Sequence, residues 1–292
     1  MDEFTDGIGE GYSWNWSMEE KQAALNCADE IISCEIVLNN ETFDKYGETS
    51  FRAGLVAFRA GWFCKKFLLL KEAALWLEER EYPVLKMNAA EAITEYPHCC
   101  TNLATLYIKT YELTGDTESL LQAERYINEA YEVTNANYEA ICLTSDISSA
   151  TIMHQHIAGV RMEQAELCMK RGDYKAAQTA LDEANDIISS YSENGADFVY
   201  LTSKYAAMYY FRGDYVDAIT ALNKTNELYE QVLSGEQDYS LNVNIMLAEC
   251  YENMQDGEKA LQAWQKAYEI ADNSLVPDHP TMKKIISHLN EM

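Results

Sequence analysis

Proline and glycine are scarce, at 4 and 13 residues of 292, and no Asn-Gly or Asp-Gly pair sits between alternating strand-like runs. A sheet needs such punctuation to reverse the chain, so its shortage points to an all-α fold. Apolar runs approaching about 18 residues are missing, which excludes an ordinary membrane-spanning helix. The start, Met1-Asp2-Glu3-Phe4-Thr5-Asp6, lacks the positive and apolar regions of a signal peptide, and a cytoplasmic location is expected. Positive charge is also short. Lys plus Arg number 22 against 48 Asp plus Glu, a formal net charge of −26. A polyanion would meet long-range repulsion before contact, which argues against nucleic acid and anionic membranes as partners. The acidic excess reads first as a solvated outer face and second as an affinity for basic partners. The eight cysteines are scattered without a Cys-x-x-Cys, so neither a disulfide framework nor a zinc site is indicated and they read as small core residues. The sequons at Asn15, Asn40 and Asn223 carry no weight in a cytosolic chain.

Catalytic signatures are missing as well. There is no His-Glu-x-x-His, Gly-x-Ser-x-Gly or P-loop pattern. His154-Gln155-His156 places its rings on different faces of a helix, so the two cannot readily share a metal. Gly7-Ile8-Gly9-Glu10-Gly11 follows no strand and reads as a flexible tail rather than a phosphate loop. With 48 carboxylates, adjacency in sequence nominates no acid–base pair. No catalytic residue, cofactor or metal is therefore assigned.

What the chain does have is a recurrence. Gly172-Asp173-Tyr174, Gly213-Asp214-Tyr215 and Gln255-Asp256-Gly257 stand at intervals of 41 residues (172 to 213) and 42 residues (213 to 255). Each is preceded seven positions back by Ala165, Ala206 or Ala248 and followed five positions on by Ala177, Ala218 or Ala260. Apolar and small residues at helical spacing, a stop, and an Asp able to cap a second helix describe a helix-turn-helix hairpin. Alanine belongs where two helices approach closely. Leu181 with Ala184, Leu222 with Thr225 and Trp264 with Ala267 repeat the next inward pair.

Ala206, Tyr209, Gly213, Tyr215, Ala218 and Leu222 resemble the tetratricopeptide repeat, a helical hairpin that stacks into a right-handed superhelix. The starting tryptophan is absent, Gln255 replaces the turn glycine, Gly257 replaces the turn aromatic, and no proline closes the units. The period exceeds the usual one of about 34 residues. Lengthened repeats with Asp278-His279-Pro280 after the third copy are similar to those of kinesin light chains and related bacterial proteins. The resemblance implies an α-α superhelix, a solenoid of hairpins with no linker-marked domain split. Three repeats fall within 138–280 (cores 158–191, 199–232 and 241–274), and Thr281 to Leu289 reads as a terminal helix capping the end at 281–292. A degenerate copy spans 97–137, with Asn102 to Tyr107, Gly115-Asp116, then Ala123, Ile127 and Ala130. Within 18–96, Gly61, Ala73 and Leu77 carry the spacing of a further copy, but Phe67 to Leu70 is apolar where a turn is due. Ala24, Cys27, Ile31, Cys34 and Leu38 give residues 18–38 an amphipathic helical pattern. Residues 1–17 read as a tail in which Tyr12-Ser13-Trp14-Asn15-Trp16 packs as a cap or docks on a partner or second copy.

In the family the first helix of each hairpin lines the inner groove. The resemblance thus implies groove positions Met162, Glu163, Glu166, Met169 and Lys170 in the first copy; Tyr200, Ser203, Lys204, Tyr210 and Phe211 in the second; and Asn242, Ile245, Glu249, Glu252 and Asn253 in the third. Tyr, Phe and Met offer apolar contact, Asn can hold a peptide backbone, and the carboxylates suit Lys or Arg. Met162, Met169 and Ile245 read equally well as packing between repeats. A carboxylate clamp would need Lys204 with Asn242 or Asn253, and Glu249 opposes it. The expectation is a non-catalytic protein- or peptide-binding scaffold whose partner segment is apolar and partly basic. The same class includes regulatory peptide receptors, although no DNA-binding domain is recognisable here. The rival is an all-helical enzyme with carboxylates facing each other in a closed central cleft.

Overall fold

A computed structural model describes residues 28–66, 69–142, 147–191, 195–232, 237–275 and 279–291. Among them all regular structure is helical. The elements are α1 (Ala28–Tyr46), α2 (Phe51–Lys66), α3 (Leu70–Ala74), a π-helix (Leu75–Glu81), α4 (Tyr82–Met87), α5 (Glu95–Thr114), α6 (Thr117–Cys142), α7 (Ile147–Lys170), α8 (Tyr174–Tyr191), α9 (Ala196–Arg212), α10 (Tyr215–Val232), α11 (Gln237–Asn253), α12 (Gly257–Ser274) and α13 (Pro280–Glu291). They fall into two compact units, with the boundary after Leu167. That boundary lies inside α7, so no linker composition marks it. The tail with Trp14 and Trp16 and the start of the 18–38 helical pattern lie outside the described residues.

In the second unit, α9 pairs with α10 and α11 with α12, and α10 then packs on α11. Each of the three turns closes in the same way. Gly172, Gly213 and Gln255 adopt the left-handed conformation, with φ of 76°, 88° and 61°. Their N–H groups donate to the carbonyls of Met169, Tyr210 and Glu252 at 3.0, 3.0 and 2.9 Å. The next N–H, of Asp173, Asp214 or Asp256, reaches Cys168, Tyr209 or Tyr251 at 2.9 Å in every case. This double closure satisfies carbonyls that a helix end leaves orphaned. The Asp173 and Asp256 carboxylates then accept the N–H groups of Ala176 at 3.0 Å and Lys259 at 3.3 Å, capping the following helix.

Behind the turns the small residues are sealed. Ala206, Ala218, Leu222, Ala248, Ala260, Trp264 and Ala267 all have 0 % exposure. Thr225, equally buried, donates its hydroxyl to the Ala221 carbonyl at 2.9 Å, which removes the cost of a polar group in that position. Helices of 17, 18, 17 and 18 residues in α9 to α12 account for the long period.

The first unit ends α1 and α5 on left-handed glycines that close differently, the N–H groups of Gly47 and Gly115 donating to the carbonyls of Phe43 and Tyr111, both at 2.8 Å. Gly115, φ 72°, ends α5, and Asp116 accepts the Glu118 N–H at 3.1 Å to start α6. Ala104, Ala123 and Ala130 are fully buried beside Ile127. Upstream, α2 ends at Lys66 and α3 begins at Leu70, and Phe67 and Leu68 of the apolar run lie outside the described residues. A Cβ on Gly61 would lie 2.3 Å from Leu77 Cδ2, so only glycine permits this approach of α2 to the π-helix. The π-helix widens the chain by one residue per turn and brings Trp76, Leu77 and Glu81 inside together. Glu81 is 1 % exposed and its Oε2 has no hydrogen-bond partner. Burial pushes its carboxyl up to about 8, against the opposing pull of the Cys99 thiol and the Lys65 charge.

Two outcomes follow. Gln255 holds a Cβ in a conformation that penalises L-residues, so Gln255→Gly should raise unfolding free energy by about 1 kcal/mol in urea titration. Glu81 binds its proton more tightly folded than unfolded, so its contribution is complete below the ordinary value of 4.5 and is lost as pH rises towards about 8. Glu81→Gln should flatten stability across that window and exceed the wild type at pH 8 by roughly 1–3 kcal/mol, as read by denaturation at pH 5 and pH 8.

Candidate functional site

The expected groove residues divide between the two units: Met162, Glu163 and Glu166 lie in the first, and those from Met169 onward in the second. Met162 and Ile245 are 7 % exposed and Met169 is 3 % exposed, so these three are packed inside. Glu166, Tyr200, Ser203, Lys204, Tyr210 and Glu249 are half-buried, while Phe211, Asn242 and Asn253 are exposed.

At the α9 end of the second unit, aromatic residues gather. The Lys170 ammonium lies 4.4 Å from the centre of the Phe211 ring. Tyr174 donates its hydroxyl to the Phe211 carbonyl at 2.8 Å. Tyr210 meets Phe211 edge-on at 5.3 Å and Tyr215 at 6.2 Å. Burial, and then the charge of Glu249 beside it, push the Tyr210 phenol above its ordinary range, so it remains a neutral donor.

At the α11 end, the acidic positions are already engaged by the chain itself. Lys284 of α13 bonds Glu249 Oε1 at 2.5 Å. Glu252 Oε1 accepts the Trp264 indole N–H at 2.8 Å and faces His288 Nδ1 at 3.1 Å. The His288 ring stacks on Trp264 with centroids 4.3 Å apart and planes 15° from parallel. Asn253 gives an amide hydrogen to the Glu249 carbonyl of its own helix at 2.8 Å. Glu249 thus meets a cation of the same chain, and Glu252 an indole N–H and an imidazole ring.

The first unit holds a cluster that sequence reasoning missed. Glu129 Oε2 accepts the Tyr82 hydroxyl at 2.6 Å, and Glu129 Oε1 accepts the Tyr96 hydroxyl and the Lys86 ammonium, the latter at 2.7 Å. Glu78 of the π-helix likewise accepts Tyr126 at 2.6 Å and Tyr107. Burial raises the Glu129 carboxyl, but the bonds from Lys86, Tyr82 and Tyr96 outweigh it and hold the group below its ordinary range. An open depression of about 620 Å3 beside it is lined by Lys86, Tyr96, Arg125, Asn128, Glu129 and Glu132, among others. This is not a closed cleft with two facing carboxylates: Glu129 has both oxygens committed. No local spacing signals it: Glu129 bonds tyrosines 47 and 33 residues away, and Glu78 tyrosines 29 and 48 residues away.

Among the described residues, no three His, Cys, Asp or Glu side chains gather as metal ligands, and no helix is long and apolar enough to cross a membrane. His154 stands against Tyr138, their ring centres 4.5 Å apart.

Residues 197–273, spanning α9 to α12, match the model of the tetratricopeptide repeat. These hairpins are tetratricopeptide repeats. The structure of BtubC (BKLC) from P. vanneervenii is similar in fold, with a TM-score of 0.52 and 14 % identity over 93 % of this chain and 92 % of that one. Cut9 in the APC/C hetero-tetramer Cut9-Hcn1 aligns at a TM-score of 0.40 and 12 % identity, covering 88 % of this chain and 46 % of the other. No curated protein matches the chain. The matched span takes in the second and third of the three copies, so the glutamine at the third turn and the missing tryptophans do not remove the chain's tetratricopeptide-repeat character. Tetratricopeptide repeats generally mediate protein–protein interaction.

Proposed function

We propose that the chain is a non-catalytic scaffold of the cytoplasm that holds a segment of another protein against the first helices, α9 and α11, of its tetratricopeptide repeats. The observation that carries this reading is the division of labour within each hairpin. Alanine and leucine on one side are completely buried, while Tyr200, Lys204, Tyr210, Phe211 and Asn242 keep part of their surface in solvent. Packing accounts for the first set, and the second keeps solvent-facing surface that a bound segment can cover. Aromatic rings supply large apolar area at small entropic cost, which suits them to anchor a bound segment. An apolar segment with some Lys or Arg fits this face, since the formal charge of the chain is −26.

Capture from a native cell extract tests the reading. Proteins retained by the wild-type chain should be lost, or reduced at least about tenfold, when Tyr210→Ala and Lys204→Glu are combined, a change of about 1.4 kcal/mol or more. Retention of the same proteins in the same amounts would overturn it.

A further inference from the structure

The α13 helix, like α2, runs against the acidic balance of the chain. Lys283, Lys284 and His288 stand against one acidic residue, Glu291, within its 12 residues, in a protein with more than twice as many acids as bases. Met282 and Ile285 are buried and Leu289 is half-buried one turn further on, an i, i+3, i+7 pattern of the kind that seats an amphipathic helix in a groove. Its polar contacts are equally directed: Lys284 to Glu249, and His288 onto Trp264 and towards Glu252.

We infer that the surface formed by α11 and α12 around Trp264 is a receptor for a basic amphipathic helix of a partner protein, and that α13 occupies it until that partner displaces it. The hold of α13 is weak by its construction. Twelve residues are too few to keep a helix together without docking. Two of its side chains are fully inside, and the Lys284 side chain retains 46 % of its exposure, which marks an ion pair of small worth. Such a segment opens locally without unfolding the repeats. Opening uncovers Trp264, otherwise 0 % exposed, and takes the Lys284 ammonium from Glu249 and the His288 ring from Glu252. The uncovered surface is an indole bordered by two carboxylates. It selects an incoming helix with apolar residues at i, i+3 and i+7, lysine at i+2 and a stacking ring at i+6, and it repels an acidic one. This inference rests on the reading that the second unit binds a segment of another protein, and it names the chemistry of that segment.

The test uses a fluorescent peptide of residues 280–291 added to full-length chains, so its failure leaves the reading of the α9 face standing. Docked α13 competes with the peptide, so the wild type should bind it at least about tenfold more weakly than Ile285→Asp, whose own α13 is released. Adding Glu249→Lys to that variant turns the attraction into repulsion and should weaken binding at least about tenfold, and a peptide carrying Lys284→Glu should bind the unaltered variant at least about tenfold more weakly. Hydrogen exchange should be fast over 279–291 in Ile285→Asp while 197–253 stay protected. Equal affinity for wild type and variant, or indifference to Glu249→Lys, would overturn the inference. If Ile285→Asp also strips protection from 197–253, the pair Lys284→Ala and His288→Ala replaces it, and no gain in peptide binding there would overturn the inference. A wild-type dimer dispersed by the peptide would assign the site to a second copy and overturn the partner.

Discussion

The second unit depends on close contact between paired helices at alanine. Ala206 and Ala218 in one hairpin, and Ala248 and Ala260 in the next, have no exposed surface. A larger side chain at any of them would have to displace a packed backbone or its neighbours, because interiors filled to crystal density have no slack. From that approach the rest follows in order. The helices must reverse within two or three residues, which demands a left-handed residue at the turn. The second helix needs an N-cap at once, which Asp173 and Asp256 supply at two of the three turns. The bulky residues one turn on, Leu222 and Trp264, then fill the space that the alanines leave.

Much of this was legible in the sequence because each requirement falls on few residue types. Alanine at a crossing, a left-handed residue seven positions on and an Asp immediately after it form a spacing that survives even Gln255, whose backbone makes the same two bonds as the glycines. Within 97–137 the helix end at Gly115-Asp116 and the burial of Ala104 fell where the sequence put them, although eleven residues separate Ala104 from Gly115 instead of seven. The π-helix was not legible. It leaves no compositional mark, and the apolar side chains of Leu75 to Leu77 suit an α-helix equally well. The unit boundary inside α7 was hidden because a helix can pass from one packing environment to another without any change of composition.

Which of the expected groove residues keep surface in solvent was legible only in part. Met162, Met169 and Ile245 sit inside because packing and binding use the same residue types, and periodicity cannot separate the two. Glu249 and Glu252 were identifiable as first-helix carboxylates, but their partners Lys284 and His288 lie 35 and 36 residues away in sequence. Only the fold brings them together. The tyrosine–glutamate cluster of the first unit had the same obstacle. Its members come from the π-helix, α4, α5 and α6, and no local pattern joins Glu78 to Tyr107 or Glu129 to Tyr96. Polar satisfaction across such distances is a tertiary property.

Close approach at alanine is the claim on which the account stands, and size is what it constrains. The most direct measurement compares Ala206→Leu and Ala248→Leu with Ala140→Leu, which changes an exposed helical position, by urea unfolding. The first two should each cost about 1–3 kcal/mol or prevent folding, while the third stays within about 0.5 kcal/mol of the wild type. Equal and small effects at all three positions would show that the helices do not meet at these alanines, and would contradict the account.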